Sequence, residues 1–347
     1  MLDYIVVGSG IGSFCICKRL ADTNKSFVVV SDFNNSATSA AGGIINPIIL
    51  KRFKPFWKAV DFFNEATSFY NHLQNISRLP LITQKEVFRI FSSIEEQNDW
   101  YSKSDQPVLD EFLVPETIDQ INGLKSAHKI GLMKQVFLAD AKKILHYFHH
   151  HFLTSNSCFP TCFDHQKLVF HDKYIAYKHL TASKIIFCEG FKAVYNPFFS
   201  YLPIYGNRGD YLIFKSPELK IDHLVKGKEF IIPLGDDFYK FGASFDRHFL
   251  SDYTPDKFKD QLIDSLKRKL KVNFQVVRFE SGIRPNVKDR KPLLGRHPYH
   301  QQMYIMNGFG SRGLFMSPLL SKWMYNYLEN NIKLPDEVNI KRFQSYF

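Results

Sequence analysis

A glycine-rich turn near the amino terminus has the residue types and spacing that bind a dinucleotide. The apolar run Tyr4–Val7 leads into Gly8–Ser13, and a second apolar run, Phe27–Val30, is soon followed by Asp32. Such glycines permit a tight turn and a close approach of the backbone to a pyrophosphate, and the next helix directs N–H groups at its charge. The acid can accept hydrogen bonds from an adenosine ribose. The alternative, a tight turn that binds nothing, requires neither the second strand nor the acid. Ser13 stands where a third glycine is common, and it is small enough for close packing.

A second glycine-rich turn lies near the carboxyl terminus. An apolar strand, Met303–Met306, precedes Asn307–Gly313, and helical spacing follows from about Leu314 to Leu328. The first N–H groups of such a helix can stabilise negative charge, much as an oxyanion hole does. Arg312 would add positive charge there or reach a substrate. The sequence allows equally that Arg312 faces a phosphate or solvent.

Histidines and cysteines do not form a metal-binding pattern. His146, His149 and His150 have helical spacing, but no carboxylate motif accompanies them, and we expect an exposed helix end. Five cysteines are scattered through the chain, which predicts unpaired thiols in a reducing compartment. We therefore expect no metal site and a cytoplasmic location.

The elements that position these residues alternate between strand and helix. Helical spacing covers residues 55–75, 136–153 and 256–270, and strands are expected at 184–188, 211–214 and 238–245. The fold class predicted is α/β (α+β), with a nucleotide-binding domain made from both ends of the chain and an inserted domain. The boundaries expected are 1–60, 137–200 and 280–347 for the nucleotide-binding domain, and 61–136 and 201–279 for a substrate-binding domain.

Composition narrows the class of protein. The 347 residues are 45% hydrophobic and 23% charged, which excludes disorder and a coiled-coil rod. No apolar run is long enough to span a membrane, and the amino terminus reads as a strand and not as a signal peptide. The formal charge of +11 favours anionic partners such as nucleic acid, although a lysine-rich coding bias also explains part of it.

Further segments, together with the two turns, resemble the FAD-dependent D-amino-acid oxidase and glycine oxidase superfamily. They are Ala37–Pro47, Cys188–Gly190, Phe230–Pro233 with Gly242–Ser244, and Gly282–Pro285 with Asp289–Gly295, in the family's order. The resemblance implies a Rossmann-like FAD-binding domain of the glutathione-reductase type with an inserted mixed-sheet substrate domain. It also implies that hydride moves from the carbon beside an amine to a non-covalently bound flavin.

The resemblance assigns roles to residues. Arg284 matches the arginine that clamps a substrate carboxylate, and its fork of donors suits that geometry, the alternative being a structural arginine. The implied contacts with FAD are Gly8, Ser9, Gly10, Ile11, Gly12, Ser13, Asp32, Thr38, Ala40, Ala41, Gly42, Gly43, Ile44, Glu189, Gly190, Gly310, Ser311, Gly313 and Leu314. Small residues at 40–43 would let the flavin ring lie close to the backbone.

Within the superfamily the chain is most similar to the FAD domain of MnmC-type tRNA-modification enzymes. Gly310–Leu314, Ser317–Leu319 and Leu334-Pro335 carry this likeness, and Lys51 falls where that domain has a lysine. Lys51 could assist oxygen reduction or bind a phosphate, and a solvated role is at least as plausible. The chain begins at the FAD turn, so we expect the methyltransferase half of those enzymes to be absent.

Two classes of function follow. The first is an oxidase or dehydrogenase of a glycine-like group, carried by a free amino acid or by carboxymethylaminomethyl-uridine in tRNA. The second is a non-catalytic module that binds RNA or protein, and an NAD-dependent dehydrogenase is a weaker third. Related enzymes often have tyrosine where Phe230 stands, so either another donor such as Tyr211 or Tyr239 replaces its hydroxyl or the substrate differs.

Overall fold

The chain folds into two compact units, each made from separate segments. The structure, a computed structural model, describes residues 1–34, 36–154, 156–248, 250 and 253–346. The first unit comprises Met1–Ala41, Ala141–Asn207 and Ile283–Phe347, and the second comprises Gly42–Asp140 and Arg208–Gly282. Residues 42–60, assigned from the sequence to the nucleotide-binding domain, cluster with the second unit because Ile44 and Ile45 pair with its sheet. The function of each unit stays a prediction.

Helices and strands alternate along most of the chain. The helices are α1 (Ile11–Asp22), α2 (Ala59–Ser77), α3 (Ile94–Lys103), α4 (Ala141–Tyr147), α5 (Asp256–Lys267) and α6 (Gly313–Glu329). The strands are β1 (Leu2–Val7), β2 (Phe27–Ser31), β3 (Ile44–Ile45), β4 (Ile48–Ile49), β5 (Lys54–Pro55), β6 (Ile82–Ile90), β7 (Leu113–Ile118), β8 (Ile130–Ala139), β9 (Cys158–Pro160), β10 (Leu168–Phe170), β11 (Ile175–Tyr177), β12 (Leu180–Phe187), β13 (Ile204–Lys215), β14 (Leu224–Lys226), β15 (Phe230–Gly235), β16 (Phe238–Gly242), β17 (Gln275–Val287), β18 (Leu293–Arg296) and β19 (Met303–Asn307).

The first unit is built on a sheet whose central strands are parallel. The order is β10-β11-β12-β1-β2-β9, with β19 beside β12 and β18 beside β19. Tyr4 to Val7 are all buried, as are Val28 to Val30, because helices and loops cover both faces of a parallel sheet. The carboxyl ends of β1, β2 and β12 lie at one edge, since these strands pair in parallel. The turn after β1, Asp32 and Glu189 therefore belong to the same edge, where such sheets bind ligands.

The second unit contains a mixed sheet with the order β17-β13-β16-β15-β14-β6-β8-β3, and β7 beside β8. Within the described residues β14 pairs with β6 in parallel, whereas β13–β16, β14–β15, β15–β16, β3–β8, β6–β8 and β7–β8 pair antiparallel. Phe214, Ile231 and Phe241 face a core that includes Leu262 and Leu266 of α5. Because side chains alternate along a strand, the neighbouring residues occupy the opposite face. The mixed α/β architecture expected from the sequence is confirmed.

The helix expected over residues 136–153 is wrong at its beginning. Residues up to Ala139 form the end of β8, α4 begins at Ala141, and a π-helical turn covers Phe148–Phe152. The apolar residues of 136–139 suit either element by spacing, and pairing with β6 decides for a strand. The other two helices form as α2 and α5. Among the described residues no helix has the length and apolar character of a membrane span.

A charged network joins the end of α6 to the sheet of the first unit. The carboxylate of Glu329 accepts hydrogen bonds from Lys184 at 2.9 Å, from the Tyr4 hydroxyl and from Lys25. Burial alone would raise the pKa of Glu329, but these three donors outweigh it and lower the pKa to about 2. An acid at the carboxyl end of a helix opposes the helix dipole, so the donors are what make this position favourable.

We expect Glu329→Gln to destabilise the protein by about 1–3 kcal/mol near neutral pH, because the charge-assisted bonds are lost. A glutamate whose folded pKa is depressed stabilises the fold above its unfolded pKa, and this stabilisation disappears as pH falls towards the folded value of about 2. The difference between wild type and variant should therefore shrink between about pH 4.5 and pH 2. Denaturant unfolding at several pH values measures it. Glu218→Gln, at an exposed glutamate, is the control, and equal losses from both variants would contradict the network's role.

Candidate functional site

The turn after β1 is shaped by contact with the end of β12. Gly8 has φ of +108°, and a Cβ there would lie 2.5 Å from the carbonyl oxygen of Cys188. Both facts require glycine, since a side chain would be strained and would collide with backbone. Ser13, at the position of the third glycine, is fully buried, as close packing of helix and strand demands.

The amino end of α1 follows directly from this turn. Gly10 is its N-cap, with extended backbone and without a side-chain cap, and the first turn contains no acid. The hydroxyl of Thr38 accepts a hydrogen bond from the N–H of Ile11 at 3.3 Å. Thr38, predicted as a cofactor contact, thus already lies at the helix end where a phosphate would bind.

Ser9 is held from two sides. Its side-chain oxygen accepts from the hydroxyl of Ser31 at 2.9 Å, and its carbonyl lies 2.9 Å from Nε2 of His149. A carbonyl can only accept, so Nε2 carries the proton. Burial lowers the pKa of His149, which keeps the ring neutral. The expectation of an exposed helix end therefore fails for His149, which is half-buried, but holds for His146 and His150.

Asp32 follows β2 at the ligand-binding edge of the sheet. One carboxylate oxygen accepts from Lys192 at 2.9 Å, and the other from the N–H of Asn34 at 3.3 Å. Burial opposes ionisation, but Lys192 and Asn34 lower the pKa of Asp32 overall. The side chain is a charged acceptor in the place where a ribose would need one.

Glu189 and Gly190 connect β12 to neighbouring elements. The carboxylate of Glu189 accepts from Asn196 at 2.7 Å and lies 3.1 Å from Nε2 of His165. Gly190 has φ of +59°, and its carbonyl accepts from the side-chain amide of Asn307 at 2.8 Å. These contacts give both residues a structural task, and their contact with a cofactor stays a prediction.

The second glycine turn packs against the first. A Cβ on Gly12 would lie 2.9 Å from the ring of Phe309, and one on Gly313 would lie 3.2 Å from Cγ2 of Ile11. The N–H of Gly310 donates to the carbonyl of Pro285 at 3.0 Å. Through these contacts the two turns predicted from opposite ends of the sequence lie against each other. Ser311 is exposed there, whereas Leu314 is buried.

Arg312 is the N-cap residue of α6. Its guanidinium carbon lies 5.7 Å from the centre of the Phe315 ring, and the side chain is half-buried. Burial lowers the pKa of Arg312 to about 10, which leaves the group charged near neutral pH. A cation at the amino end of a helix adds to the positive end of the helix dipole, so this position favours a bound anion.

Arg284 lies on β17, one residue before the proline that accepts from Gly310. Its Nη1 donates to Oδ1 of Asn207 at 2.8 Å. Asn207 is fully buried on β13, the strand next to β17. Sequence reasoning missed Asn207, because nothing in its neighbours along the chain indicates that it meets Arg284.

The segment of small residues after Thr38 crosses from one unit to the other. Ala40 and Ala41 belong to the first unit, and Gly42, Gly43 and Ile44 to the second. A Cβ on Gly43 would collide with the carbonyl of Ala139, and one on Gly42 would lie 2.8 Å from the Tyr211 hydroxyl. The protein itself thus requires glycine at 43, whatever a flavin requires, whereas a Cβ at 42 would need the side chains of Tyr211 and Ile232 to shift.

The structure separates the two tyrosines considered as replacements at Phe230. Tyr239 is buried in the core of the second unit and stacks on Phe214. Tyr211 and Phe230 both pair with Gly242, one on each side of it in the sheet. Their side chains therefore lie on the face of the sheet opposite to that of Tyr239. Tyr211 is therefore the candidate that shares a face with Phe230.

Lys51 lies at the tip of the hairpin formed by β4 and β5. Lys51, Arg52 and Lys54 are exposed, and the intervening Phe53 is buried against Trp100 at 5.2 Å between ring centres. The buried ring anchors a tip that presents three positive charges to solvent. We call these three residues the basic hairpin.

The described part of the chain contains no group of three or more acidic, histidine or cysteine side chains placed to hold a metal. Cys15, Cys17 and Cys188 are buried, and burial raises the pKa of all three thiols. They are unsuited to act as thiolates near neutral pH.

The residues of the first unit fit a dinucleotide cofactor. The amino end of α1 has no acid in its first turn, Gly10 presents no side chain, and Asp32 supplies a charged acceptor. The position that a Cβ of Gly10 would occupy is open, because its nearest neighbour, the Thr38 hydroxyl, would lie 3.5 Å away. The glycine leaves this space to a ligand. These features suit a pyrophosphate and an adjoining ribose.

A family model described as "FAD dependent oxidoreductase" (DAO) matches residues 3–326. Among solved structures, glycine oxidase from Geobacillus kaustophilus has a TM-score of 0.81 at 16% identity, covering 99% of this chain and 97% of that one. Glycine oxidase from Bacillus cereus has 0.79 at 14%, covering 96% of each chain. Iminodiacetate oxidase from Chelativorans has 0.77 at 15%, covering 98% of each.

We expect Gly8→Ala to lower both FAD content and melting temperature, because the new methyl group meets the Cys188 carbonyl within the turn predicted to bind phosphate. Gly235→Ala is the matched control, since Gly235 also has positive φ, +91°, but open space around its Cβ position. The control should cost about 1 kcal/mol from strain alone and retain FAD. Flavin absorbance per protein and thermal unfolding measure both effects. A Gly8→Ala protein with full FAD content would contradict the assigned turn.

Proposed function

The chain belongs to the FAD-dependent oxidoreductase (DAO) family, and we propose that it oxidises the C–N bond of a glycine-like amine or amino-acid group. FAD, when bound, accepts the hydride from the carbon beside the amine. The protein's own residues bind and orient the substrate and stabilise charge. The predicted roles of the site residues are part of this proposal.

The proposal depends chiefly on the position of Arg284 in the fold. Its strand is tied to the second glycine turn by the Pro285–Gly310 hydrogen bond, so Arg284 lies one residue away from a backbone contact with the turn that begins α6. A planar fork of donors pairs with a carboxylate in two parallel hydrogen bonds. A substrate with a carboxylate one carbon from its amine would be oriented by that pair.

The second glycine turn would stabilise charge. The amino end of α6 and Arg312 are both positive, and negative charge develops on a flavin ring as hydride arrives. We infer that Gly310–Leu314 faces this charge. Fixed dipoles of this kind need no reorganisation during the reaction.

The substrates named for two of the structural neighbours support a glycine-like group. Glycine and iminodiacetate share an amine nitrogen, a methylene and a carboxylate. At these identities the likeness shows the fold alone, so the substrate class is our proposal. We also propose that FAD is bound non-covalently, because no histidine lies between residues 36 and 47 and no cysteine follows Cys188.

We expect Arg284→Lys to raise KM for a carboxylate substrate strongly while FAD content stays unchanged. Lysine keeps the charge but loses the bidentate fork, and breaking a desolvated charge pair costs about 2–5 kcal/mol. Steady-state kinetics with glycine and sarcosine, together with flavin absorbance, measure the effect. Arg290→Lys, at an exposed arginine of the same unit, is the control. Wild-type KM in Arg284→Lys would place the clamp elsewhere.

The basic hairpin favours tRNA as a second candidate carrier of the glycine-like group. Lys51, Arg52 and Lys54 are exposed and lie in one turn, and the Lys103 ammonium donates to the Arg52 carbonyl at 3.3 Å. Such a cluster on an anchored turn suits phosphate groups better than a single small anion. Under this alternative the hairpin binds the tRNA backbone, and the substrate group is the carboxymethylaminomethyl group of a modified uridine.

If tRNA is the carrier, changing Lys51, Arg52 and Lys54 together to glutamine should weaken tRNA binding about tenfold. The salt dependence of binding should also become less steep, because binding with fewer phosphate contacts releases fewer counterions. The matched control changes Lys267, Arg268 and Lys271, which are likewise exposed residues of the second unit. Binding titrations at several salt concentrations test it, beside flavin reduction by modified tRNA. Flavin reduction by free glycine, without tRNA binding at low salt, would exclude tRNA and leave amine oxidation intact.

A further inference from the structure

Asn207 holds the guanidinium of Arg284 in a defined orientation. An arginine can only donate, so the atom 2.8 Å from Nη1 must be the oxygen of the Asn207 amide and not its nitrogen. The amide group therefore cannot be turned round without losing the contact. Because Asn207 is fully buried on β13, its side chain has little room to adopt another rotamer.

The same geometry leaves a donor of Asn207 buried. Its Nδ2 has no hydrogen-bond partner within the described residues. A buried unpaired donor is destabilising, so stability alone favours an apolar residue of similar size here. The amide is thus better explained by what its oxygen does for Arg284 than by packing.

The choice of a neutral acceptor also matters. Arg208, the next residue along β13, is fully buried and donates to the carboxylate of Asp210 at 3.1 and 3.2 Å. A carboxylate partner cancels the charge of a guanidinium while it orients it. An amide oxygen orients the group and contributes no negative charge, so Asn207 does not compete electrostatically with an incoming carboxylate.

We propose that Asn207 is a positioning residue, which orients Arg284 so that its fork meets the carboxylate of the substrate. The proposal rests on the carboxylate clamp under the proposed function. It predicts that Asn207 governs recognition of the carboxylate and acts only through Arg284.

The test measures binding of glycolate and of its neutral analogue glycolamide to the FAD-loaded protein, followed by the change in flavin absorbance. Wild type should bind glycolate more tightly. In Asn207→Leu, glycolate affinity should fall about 10- to 100-fold, as expected for loss of a hydrogen bond to a charged group, with glycolamide affinity within about twofold of wild type. Asn207→Asp, nearly isosteric, should also weaken glycolate, because its carboxylate competes for Arg284.

A double variant separates positioning from direct contact. In Asn207→Leu combined with Arg284→Lys, glycolate affinity should equal that of Arg284→Lys alone. Additive losses would show that Asn207 acts on the ligand directly and would overturn the proposal. Asn339→Leu is the control, at a half-buried asparagine of the first unit whose oxygen accepts from the N–H of Lys341. It should leave the preference for glycolate unchanged.

The outcomes distinguish this inference from the proposed function. If Arg284→Lys weakens glycolate but neither Asn207 variant does, the positioning role is wrong and the clamp stands. If Arg284→Lys changes nothing, or wild type does not prefer glycolate, the clamp and the positioning role both fail. A folded Asn207→Leu protein with full FAD content and wild-type preference would be sufficient to overturn the inference.

Discussion

The contact between the two glycine-rich turns is the constraint on which the rest of the first unit depends. Gly8 lets the backbone after β1 touch the Cys188 carbonyl, Gly12 accepts the ring of Phe309, and Gly313 approaches Ile11. A side chain at Gly8 would collide with backbone, and one at Gly12 or Gly313 would press on Phe309 or Ile11, so glycine permits the close approach of elements from the two ends of the chain. Because Gly310 is in turn bonded to Pro285, the strand that presents Arg284 is positioned by the same contact. The predicted cofactor-binding turn and the proposed carboxylate clamp therefore share one packing requirement.

The nucleotide-binding part of the fold could be predicted from the sequence because its signals are local. Gly8–Ser13, Asp32 and the strand before Gly310 are recognised from spacing within about thirty residues. The end of β8 at Ala139, in place of a helix from residue 136, could not be predicted. The spacing of residues 136–139 suits strand and helix equally, and only pairing with β6 decides between them. The place of residues 42–60 in the second unit could not be predicted for the same reason. Ile44 and Ile45 pair with a strand that is distant in sequence.

Contacts between distant residues were also outside the reach of sequence reasoning at the candidate site. Asn207 and Arg284 are 77 residues apart and meet because β13 and β17 are neighbours in the sheet. His149 reaches the carbonyl of Ser9 from a π-helical turn, and helical spacing alone suggested an exposed face. Conversely, the resemblance explains Gly43 by its fit to a flavin, whereas the Ala139 carbonyl already requires glycine at this position. A small residue in a family motif can thus be required by packing within the protein, independently of the cofactor.

The electrostatics of the paired turns explain why this arrangement suits FAD. The amino ends of α1 and α6 meet where Ile11 approaches Gly313, and neither helix has an acid in its first turn. Two positive helix ends repel each other, and Arg312 adds a full charge at the second. Negative charge bound at either end would reduce this repulsion. Under the proposed function, the pyrophosphate of FAD would supply negative charge at α1, and a flavin ring that had accepted hydride would supply it at α6. With the flavin ring at α6, the field there would favour the reduced cofactor over the oxidised one, which is the direction in which an amine oxidation must proceed.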